Sequence, residues 1–381
     1  MKCRGVETST NDFIEIKGDT VISHIDPVLE AADNAAYIAP GFVDLQVNGF
    51  AGVDYNSPVA PLEEIARSIR AMFSTGVTRF FPTVITGAPE DMLGALRNLA
   101  RARETLAAGP AMEAFHVEGP HISVYDGPRG AHPARWVRPP DIEEFRRWQD
   151  AAQGNVRLVT LSPEWPESTR YIEQLTQEGV VTSIGHTRAT REQIDDAVRA
   201  GATLSTHLGN GADAVLPRQN YIWEQLAEDK LAASFIVDGH HLSESFLRVA
   251  LRAKGVERSV LVTDAVMPAL CAPGDYRLGE VDVELKDDQR VVLKAGTRLA
   301  GSSLRMDVAI SNVMRIAGLS LTEAVAMATV NPARVGRIGG RVRGLRAGDR
   351  SDVVRFRIED GRLRVIETYL SGERVFSDRI V

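Results

Sequence analysis

Eight short apolar runs, separated by longer amphipathic segments, constrain the fold of this 381-residue chain more than any other feature. The runs cover residues 41–47, 79–85, 114–117, 156–161, 180–184, 203–206, 232–237 and 260–263. Segments between them, such as 62–74, 91–107 and 191–200, carry apolar residues at helical spacing. This alternation is typical of parallel strands joined by helical crossovers. Eight such units predict an α/β fold, a closed (β/α)8 barrel of the TIM type.

The two ends of the chain have a different pattern. Residues 1–38 and 346–381 contain short strand-like stretches with turn signals at Lys17-Gly18-Asp19 and Glu359-Asp360-Gly361. We predict that both termini pair into one small β-sandwich domain, so that residues 39–345 form a barrel inserted between its halves. A strand-like alternation after the eighth run predicts a β-hairpin insertion at about residues 275–298, with Lys286-Asp287-Asp288 in its turn.

Composition and charge exclude several classes of protein. The chain is 44% hydrophobic and 25% charged, close to the globular average, so it can bury a full core. A net charge of -7 without any block of Lys or Arg argues against a nucleic-acid partner. Two cysteines, Cys3 and Cys271, are too few for a disulfide framework or a cysteine-built zinc site. No apolar signal-peptide core or membrane-length run is present, so we expect no membrane partner and a cytoplasmic location.

Polar residues lie at or shortly beyond the ends of five of the eight runs. They are Glu118 after the third run, His186 after the fifth, His207 after the sixth, His241 after the seventh and Asp264 after the eighth. In a barrel of this type the active site lies at the carboxyl ends of the strands. Any one of these residues could be an ordinary hydrogen-bonded strand end, but five at one mouth favour an active site.

Glu118, His186 and His207 offer one carboxylate and two imidazoles, a ligand set that suits a divalent ion with zinc-like preferences. Three protein ligands leave a position for water, whose pKa such an ion lowers from 15.7 to about 7. Asp264 is then the natural proton carrier between this water and the departing nitrogen, although it could also cap a helix. His116 alternates with Glu118 along the strand, so we expect it on the opposite face in a structural role.

Several segments, in their order and spacing, carry a family resemblance. They are Pro-Gly-Phe-Val-Asp-Leu-Gln-Val-Asn-Gly at 40–49, His-Val-Glu-Gly-Pro at 116–120, Arg-Gly-Ala-His at 129–132, Leu-Ala-Gly-Ser-Ser at 299–303 and Ala-Thr-Val-Asn-Pro-Ala at 328–333. Together they resemble the N-acetylglucosamine-6-phosphate deacetylases of the amidohydrolase superfamily. Gln46 and Asn48 stand where amidohydrolases usually carry His-x-His, as in the subgroup that resembles a one-metal enzyme.

The resemblance implies a metal-dependent hydrolase that converts N-acetylglucosamine 6-phosphate to glucosamine 6-phosphate and acetate. It implies one divalent ion per chain, Zn²⁺ by preference, bound by Glu118, His186 and His207, with Asp264 as the catalytic acid and base. It also implies a homodimer and a small-molecule amino-sugar substrate. The implied substrate contacts are His132 at the acetyl carbonyl, and Asn210, Gly211, Arg218 and His241 at the sugar and phosphate, with Arg218 able to reach a neighbouring subunit.

Three departures from the family pattern leave alternatives open. Two extra residues lie around 126–128, Gly209-Asn210-Gly211 replaces Tyr-Asn-Ala after His207, and residues 219–223 replace Glu-Pro-Gly after Arg218. One alternative is a deacetylase of a different, possibly non-phosphorylated, amino sugar, on which Tyr221 and Trp223 could stack. Another is an N-acyl-D-amino-acid deacylase. A non-catalytic barrel is disfavoured, because the ligand set and Asp264 are all present.

Overall fold

The structure is a computed structural model that describes residues 1–28, 36–294 and 296–378. Residues 29–35 and 379–381 of the predicted terminal β domain, and residue 295 of the predicted hairpin, lie outside the described residues. The strands are β1 (Lys2–Glu7), β2 (Phe13–Gly18), β3 (Ile22–Pro27), β4 (Tyr37–Pro40), β5 (Phe42–Val47), β6 (Gly49–Phe50), β7 (Val53–Asp54), β8 (Val77–Ile85), β9 (Phe115–Glu118), β10 (Val156–Leu161), β11 (Val181–Ile184), β12 (Leu204–Ser205), β13 (Ala232–Phe235), β14 (Ser259–Leu261), β15 (Gly274–Leu278), β16 (Val281–Leu285), β17 (Val291–Leu293), β18 (Val353–Glu359), β19 (Arg362–Leu370) and β20 (Glu373–Ser377).

Helices connect the successive strands from β7 to β14. The α-helices are α1 (Leu62–Phe73), α2 (Pro89–Thr105), α3 (Asp126–Arg129), α4 (Ile142–Ala151), α5 (Ser168–Gln177), α6 (Arg191–Ala200), α7 (Tyr221–Ala227), α8 (Glu244–Lys254), α9 (Met306–Ala317), α10 (Leu321–Ala328) and α11 (Val330–Val335). Short 3-10 turns occur at Gly109–Ala111, Ala134–Trp136 and Val256–Arg258. None of the helices in the described ranges has the length and apolarity needed to cross a membrane.

The predicted barrel is confirmed. Eight parallel strands follow one another in the order β5, β8, β9, β10, β11, β12, β13 and β14, and each overlaps one of the eight apolar runs. Backbone hydrogen bonds across the seam complete the ring, because Asp264 N donates to Gln46 O at 3.0 Å and Asn48 N donates to Ala265 O at 2.7 Å. Phe42–Val47 is buried along its whole length, as expected for a strand covered on both faces.

Local sequence signals explain where the helices begin and end. In α6, the Thr190 side chain accepts from Gln193 N while the Gln193 side chain accepts from Thr190 N, so a capping box starts the helix. Gly201 ends it with φ 117°. A Cβ at that glycine would lie 2.4 Å from Thr176 Oγ1, so only glycine fits there. The helix therefore spans the same ten residues that its apolar spacing predicts.

The β domain predicted from both chain termini is also confirmed. Its seven-stranded sheet has the order β20-β19-β18-β4-β1-β2-β3, and antiparallel pairing of β4 with β18 joins the two ends of the chain. A buried ion cluster ties this domain to the barrel, since Asp352 accepts from Arg79 Nε at 2.8 Å and from Arg341 Nη1 at 2.6 Å. Burial opposes ionisation of Asp352, but the charges of Arg341 and Arg79 lower its pKa to about 2. Losing Asp352 would leave Arg341 with an uncompensated buried charge.

A small three-stranded sheet, β15-β16-β17, follows the eighth barrel strand and lies beside the barrel mouth. The predicted turn at residues 286–288 joins β16 to β17, and the additional strand β15 pairs antiparallel with β16. Gly279 N, between β15 and β16, donates to Asp54 Oδ2 at 3.0 Å. This contact attaches the sheet to the loop after the first barrel strand, so it can form part of the wall of the site.

Candidate active site

Four side chains predicted to carry the chemistry meet at the carboxyl ends of the barrel strands. Glu118 ends β9, His186 follows β11, His207 follows β12 and Asp264 lies just beyond β14. All four are buried. The ligand atoms of Glu118, His186 and His207 lie within 4.8 Å of one another. The structure therefore brings together residues that are far apart in the sequence.

The backbone at three of these residues is unusual. His186, His207 and Asp264 have φ values of 50°, 28° and 50°, in the left-handed region that non-glycine residues rarely adopt. Each such residue costs on the order of 1–3 kcal/mol, so the surrounding structure must hold it in place. All three line the same cavity, which links the strained backbone to the site.

The donor set fits a divalent metal ion. His186 Nδ1 lies 2.7 Å from Pro128 O, and a carbonyl can only accept, so the proton of a neutral His186 sits on Nδ1. Its Nε2 then presents a lone pair to Glu118 Oε1 at 3.2 Å, while His207 Nε2 lies 2.7 Å from the same oxygen. Lone pairs that face one another in this way repel, and a cation between them would remove the repulsion. A carboxylate and two imidazoles are suitable ligands for such an ion.

Amide groups from β5 and the residue beyond it connect the ligand set to Asp264. Gln46 Nε2 donates to Glu118 Oε1 at 3.0 Å and to Asp264 Oδ1 at 3.1 Å. Asn48 Nδ2 donates to Asp264 Oδ1 at 2.6 Å. Sequence reasoning used Gln46 and Asn48 only to argue against a second metal and missed this positioning role. Their spacing of two residues, which puts both on one side of an extended segment, was the available signal.

The two buried carboxyl groups differ electrostatically. Burial opposes ionisation of Glu118, but the adjacent imidazoles of His186 and His207 hold its pKa well below the ordinary value. Burial and the nearby charge of Glu118 raise the pKa of Asp264 to about 6. A carboxyl group with a pKa near neutrality can both accept and return a proton, which is what a general acid and base requires.

His132 lies beside the ligand set in spite of the altered loop before it. Its ring centroid is 4.4 Å from that of His186, and its Nδ1 lies 2.8 Å from Thr86 Oγ1. Burial, followed by the neighbouring His186, lowers the pKa of His132 to about 3. The ring is therefore neutral at neutral pH. The extra residues around 126–128 also contribute, because they supply the Pro128 carbonyl that orients His186.

Three of the predicted sugar contacts line the cavity as well. They are Asn210, Gly211 and His241. His241 Nδ1 is held 2.7 Å from Asp238 Oδ2, while its buried Nε2 has no hydrogen-bond partner within the described part of the chain. At Gly211, with φ 55°, a Cβ would lie 2.6 Å from His186 Nδ1. Glycine is needed there because the backbone passes so close to the imidazole ring.

Other candidates lie outside the cavity. Arg218 is exposed and does not line it. Tyr221 is buried, with its hydroxyl donating to Asp213 Oδ2 at 3.0 Å, and Trp223 is half exposed on the outside of α7. Neither aromatic ring can stack on a sugar held in this chain's own cavity. His116 lies 2.8 Å, through Nε2, from Thr160 Oγ1 inside the barrel and does not line the cavity either. The expectation that it lies on the face opposite Glu118 is wrong, because residues two apart in a strand share a face.

The cavity has a volume of about 670 Å³. Beyond the residues above, its wall is formed by the loops after β5 and β8, by Pro133 and Trp136 in the segment after His132, and by the β15-β16-β17 sheet. A volume of this size is typical of small-molecule sites. The fold and the site together define a barrel enzyme that acts on a small substrate with a bound metal ion.

Comparison with known proteins identifies the family. The model of the amidohydrolase family matches residues 37–375, and the chain belongs to this family of metal-dependent hydrolases. It is 36% identical over 355 residues to the N-acetylglucosamine-6-phosphate deacetylase of Homo sapiens, covering 89% of this chain and 83% of that protein. It is also 29% identical over 358 residues to the N-acetylgalactosamine-6-phosphate deacetylase of Escherichia coli O157:H7, covering 93% and 92% of the two chains.

A solved structure is similar over almost the whole chain. It is a mutant of the N-acetyl-D-glucosamine-6-phosphate deacetylase of Mycobacterium smegmatis in complex with N-acetyl-D-glucosamine-6-phosphate. The TM-score is 0.86 at 31% sequence identity, with 96% of this chain and 94% of that chain covered. Within the amidohydrolases, the chain is therefore one of the N-acetylglucosamine-6-phosphate deacetylase type.

Proposed function

We propose that this chain hydrolyses the N-acetyl group of N-acetylglucosamine 6-phosphate, which gives glucosamine 6-phosphate and acetate. The observation that carries the proposal is the convergence of Glu118, His186 and His207 with Asp264, linked through the Gln46 amide. The test is release of a primary amine and of acetate from the phosphorylated sugar by the metal-loaded protein. No release from any N-acyl amino sugar would contradict it.

Each polar group has an assigned part in this reaction. A divalent ion, Zn²⁺ by preference, held by Glu118, His186 and His207 would supply Lewis-acid polarisation of the acyl carbonyl and lower the pKa of water. Asp264 takes the proton of the attacking water and passes it to the amide nitrogen, because an amine leaves poorly unless it is protonated. Thr86 donates its hydroxyl hydrogen to His132 Nδ1, so that His132 Nε2–H can donate to the acyl oxygen.

The sugar is assigned to the side of the cavity near the sixth and seventh barrel strands. Asp238 fixes the proton of His241 on Nδ1, which leaves Nε2 as an acceptor for a sugar hydroxyl. Asn210 and the backbone of Gly211 supply further polar groups on the same side. These groups orient the amino sugar with its amide at the ligand set.

A second candidate is a deacetylase of a different or non-phosphorylated amino sugar. The cavity wall favours this candidate because it carries little positive charge for a phosphate. Arg277 is the single Lys or Arg among the cavity-lining residues of the described chain. A panel separates the possibilities: N-acetylglucosamine and N-acetylgalactosamine, each with and without 6-phosphate, and an N-acetyl-D-amino acid. The highest kcat/KM identifies the substrate class.

We predict that Arg218 binds the 6-phosphate, as part of a homodimer in which its loop reaches the neighbouring site. Guanidinium groups bind phosphate through paired, charge-assisted hydrogen bonds worth about 1.5–3 kcal/mol. Arg218→Ala should therefore raise KM for the phosphorylated sugar by roughly 10- to 150-fold and barely affect the unphosphorylated one. Arg252→Ala, which removes another exposed arginine, is the control. Equal kcat/KM on both sugars, unchanged by Arg218→Ala, would show that phosphate is not recognised.

We also predict one tightly held divalent ion per chain. Gln46 and Asn48 occupy the positions that would provide a second pair of ligands, and both amides already donate to carboxylate oxygens. The amide oxygens that remain are weaker metal ligands than the two imidazoles that they replace. Elemental analysis after dialysis should find one equivalent, and chelation should abolish activity. Two strongly bound equivalents, or full activity after exhaustive chelation, would contradict this.

A further inference from the structure

Part of the cavity wall has no role in the deacetylation proposed above. It is built from residues that follow the first and second barrel strands, together with the turn after His132 and the β15-β16-β17 sheet. We call this part the apolar annex, and its walls are the side chains of Val53, Ile85, Ala88, Met92, Trp136 and Val281. The annex is continuous with the metal-ligand set, since both belong to one cavity of about 670 Å³.

Barrel topology places the annex away from the groups assigned to the sugar. In a ring of eight strands, the second strand, β8, lies across the barrel from the sixth, β12. Ile85 and Ala88 follow β8, whereas Asn210 and Gly211 follow β12. The ligands and Asp264 come from the third, fifth, sixth and eighth strands, so they surround the centre of the mouth. An amide held at the ligand set with its sugar near Asn210 therefore directs its acyl group towards the annex.

The link from the carbonyl contact to the annex is direct. His132 is joined to Thr86 by the 2.8 Å contact between Nδ1 and Oγ1. The cavity wall continues outward from Thr86 through Gly87 and Ala88, and from His132 through Pro133 and Trp136. An acyl oxygen at His132 therefore puts the acyl carbon chain at the entrance of the annex.

Charge argues against a phosphate in the annex. The charged residues that line the cavity around the annex are one guanidinium, that of Arg277, and four carboxylates, those of Asp54, Glu64, Asp91 and Glu280, so carboxylates dominate. They would repel an anionic phosphate, whereas the apolar side chains between them favour a hydrocarbon group. The occupant that fits this wall is uncharged and apolar.

We propose that the apolar annex binds N-acyl groups longer than acetyl, so that the enzyme also hydrolyses amino sugars with short straight aliphatic acyl chains. This inference rests on the proposed function. The same bonds change as in hydrolysis of the acetyl group. The amide C–N bond breaks, the oxygen of water bonds to the acyl carbon, and the products are a fatty carboxylate and a protonated amine. Each buried methylene should raise kcat/KM by up to about fourfold, since burial contributes about 0.8 kcal/mol per methylene.

The test compares N-acetyl, N-propionyl, N-butyryl and N-hexanoyl forms of the same amino sugar with the metal-loaded enzyme. We expect kcat/KM for the butyryl substrate to equal or exceed that for acetyl. A butyryl value at least tenfold below the acetyl value would overturn the inference and leave the deacetylase function standing. No hydrolysis of any member of the series would overturn both.

A substitution that fills the annex tests whether the acyl chain binds there. Ala88→Phe fills the annex and should lower the butyryl-to-acetyl ratio of kcat/KM at least tenfold. Ala134→Phe is the matched control, because Ala134 is exposed, lies in the same region and does not line the cavity, so the ratio should not change. Val281→Phe, on the separate sheet, repeats the test if Ala88→Phe does not fold. An unchanged ratio in the folded annex variant would show that the acyl chain lies elsewhere.

Discussion

Replacing Asp264 with asparagine should reduce turnover by at least 10² to 10⁴, the usual contribution of general acid and base catalysis. The amide cannot carry the proton from water to the leaving nitrogen. It can keep its place, because its oxygen still accepts from Asn48 Nδ2 and Gln46 Nε2, which donate to Asp264 Oδ1 at 2.6 and 3.1 Å. We therefore expect Asp264→Asn to retain one equivalent of metal and near-normal substrate binding. Steady-state kinetics, elemental analysis and binding of substrate to the inactive variant measure these three quantities.

A matched substitution separates loss of the proton carrier from loss of a buried carboxylate in general. Asp307, at the start of α9, is also buried, but it pairs with Arg305 and does not line the cavity. Asp307→Asn should keep turnover close to that of the wild type. Near-normal turnover in Asp264→Asn would mean that another group carries the proton.

His207→Ala should lose both the metal and the activity. The variant keeps only Glu118 and His186 of the three converging ligands. Loss of a residue that merely orients a ligand weakens metal binding by roughly 10- to 100-fold, so loss of a ligand should weaken it by more. Competition with a chelator of known affinity measures the change, and turnover should fall in proportion to the bound metal. His186→Ala should behave in the same way.

The control for His207→Ala is the same substitution at another histidine of the barrel mouth. His240 is exposed, follows the seventh barrel strand, and contacts Asp288 O through Nε2 at 3.0 Å. His240→Ala should keep one equivalent of metal with unchanged affinity. If His207→Ala also kept its metal at unchanged affinity, the assigned ligand set would be wrong.

Much of this fold could be predicted from the sequence, because its signals are local. Apolar runs at strand length alternate with helical periodicity, so each of the eight strands could be placed within a few residues. The candidate site then followed from one rule of barrels, that residues just beyond the strands share a mouth. Glu118 ends its strand, and His186, His207 and Asp264 lie two or three residues beyond theirs. Their side chains meet at the barrel mouth.

The tertiary structure alone decided how these residues are held. Gln46 contacts Asp264 across a separation of 218 residues, and only closure of the barrel seam brings them together. The Pro128 carbonyl that fixes the proton of His186 lies in the loop with the extra residues, whose path no periodic pattern describes. The same limit applies to Arg218, which is near Asn210 in the chain but outside the cavity. Apolar periodicity reports which face of an element is buried, whereas contacts between loops depend on packing that is distant in sequence. The sequence therefore determined the barrel and the candidate ligands, and the tertiary structure determined their orientation and the shape of the cavity.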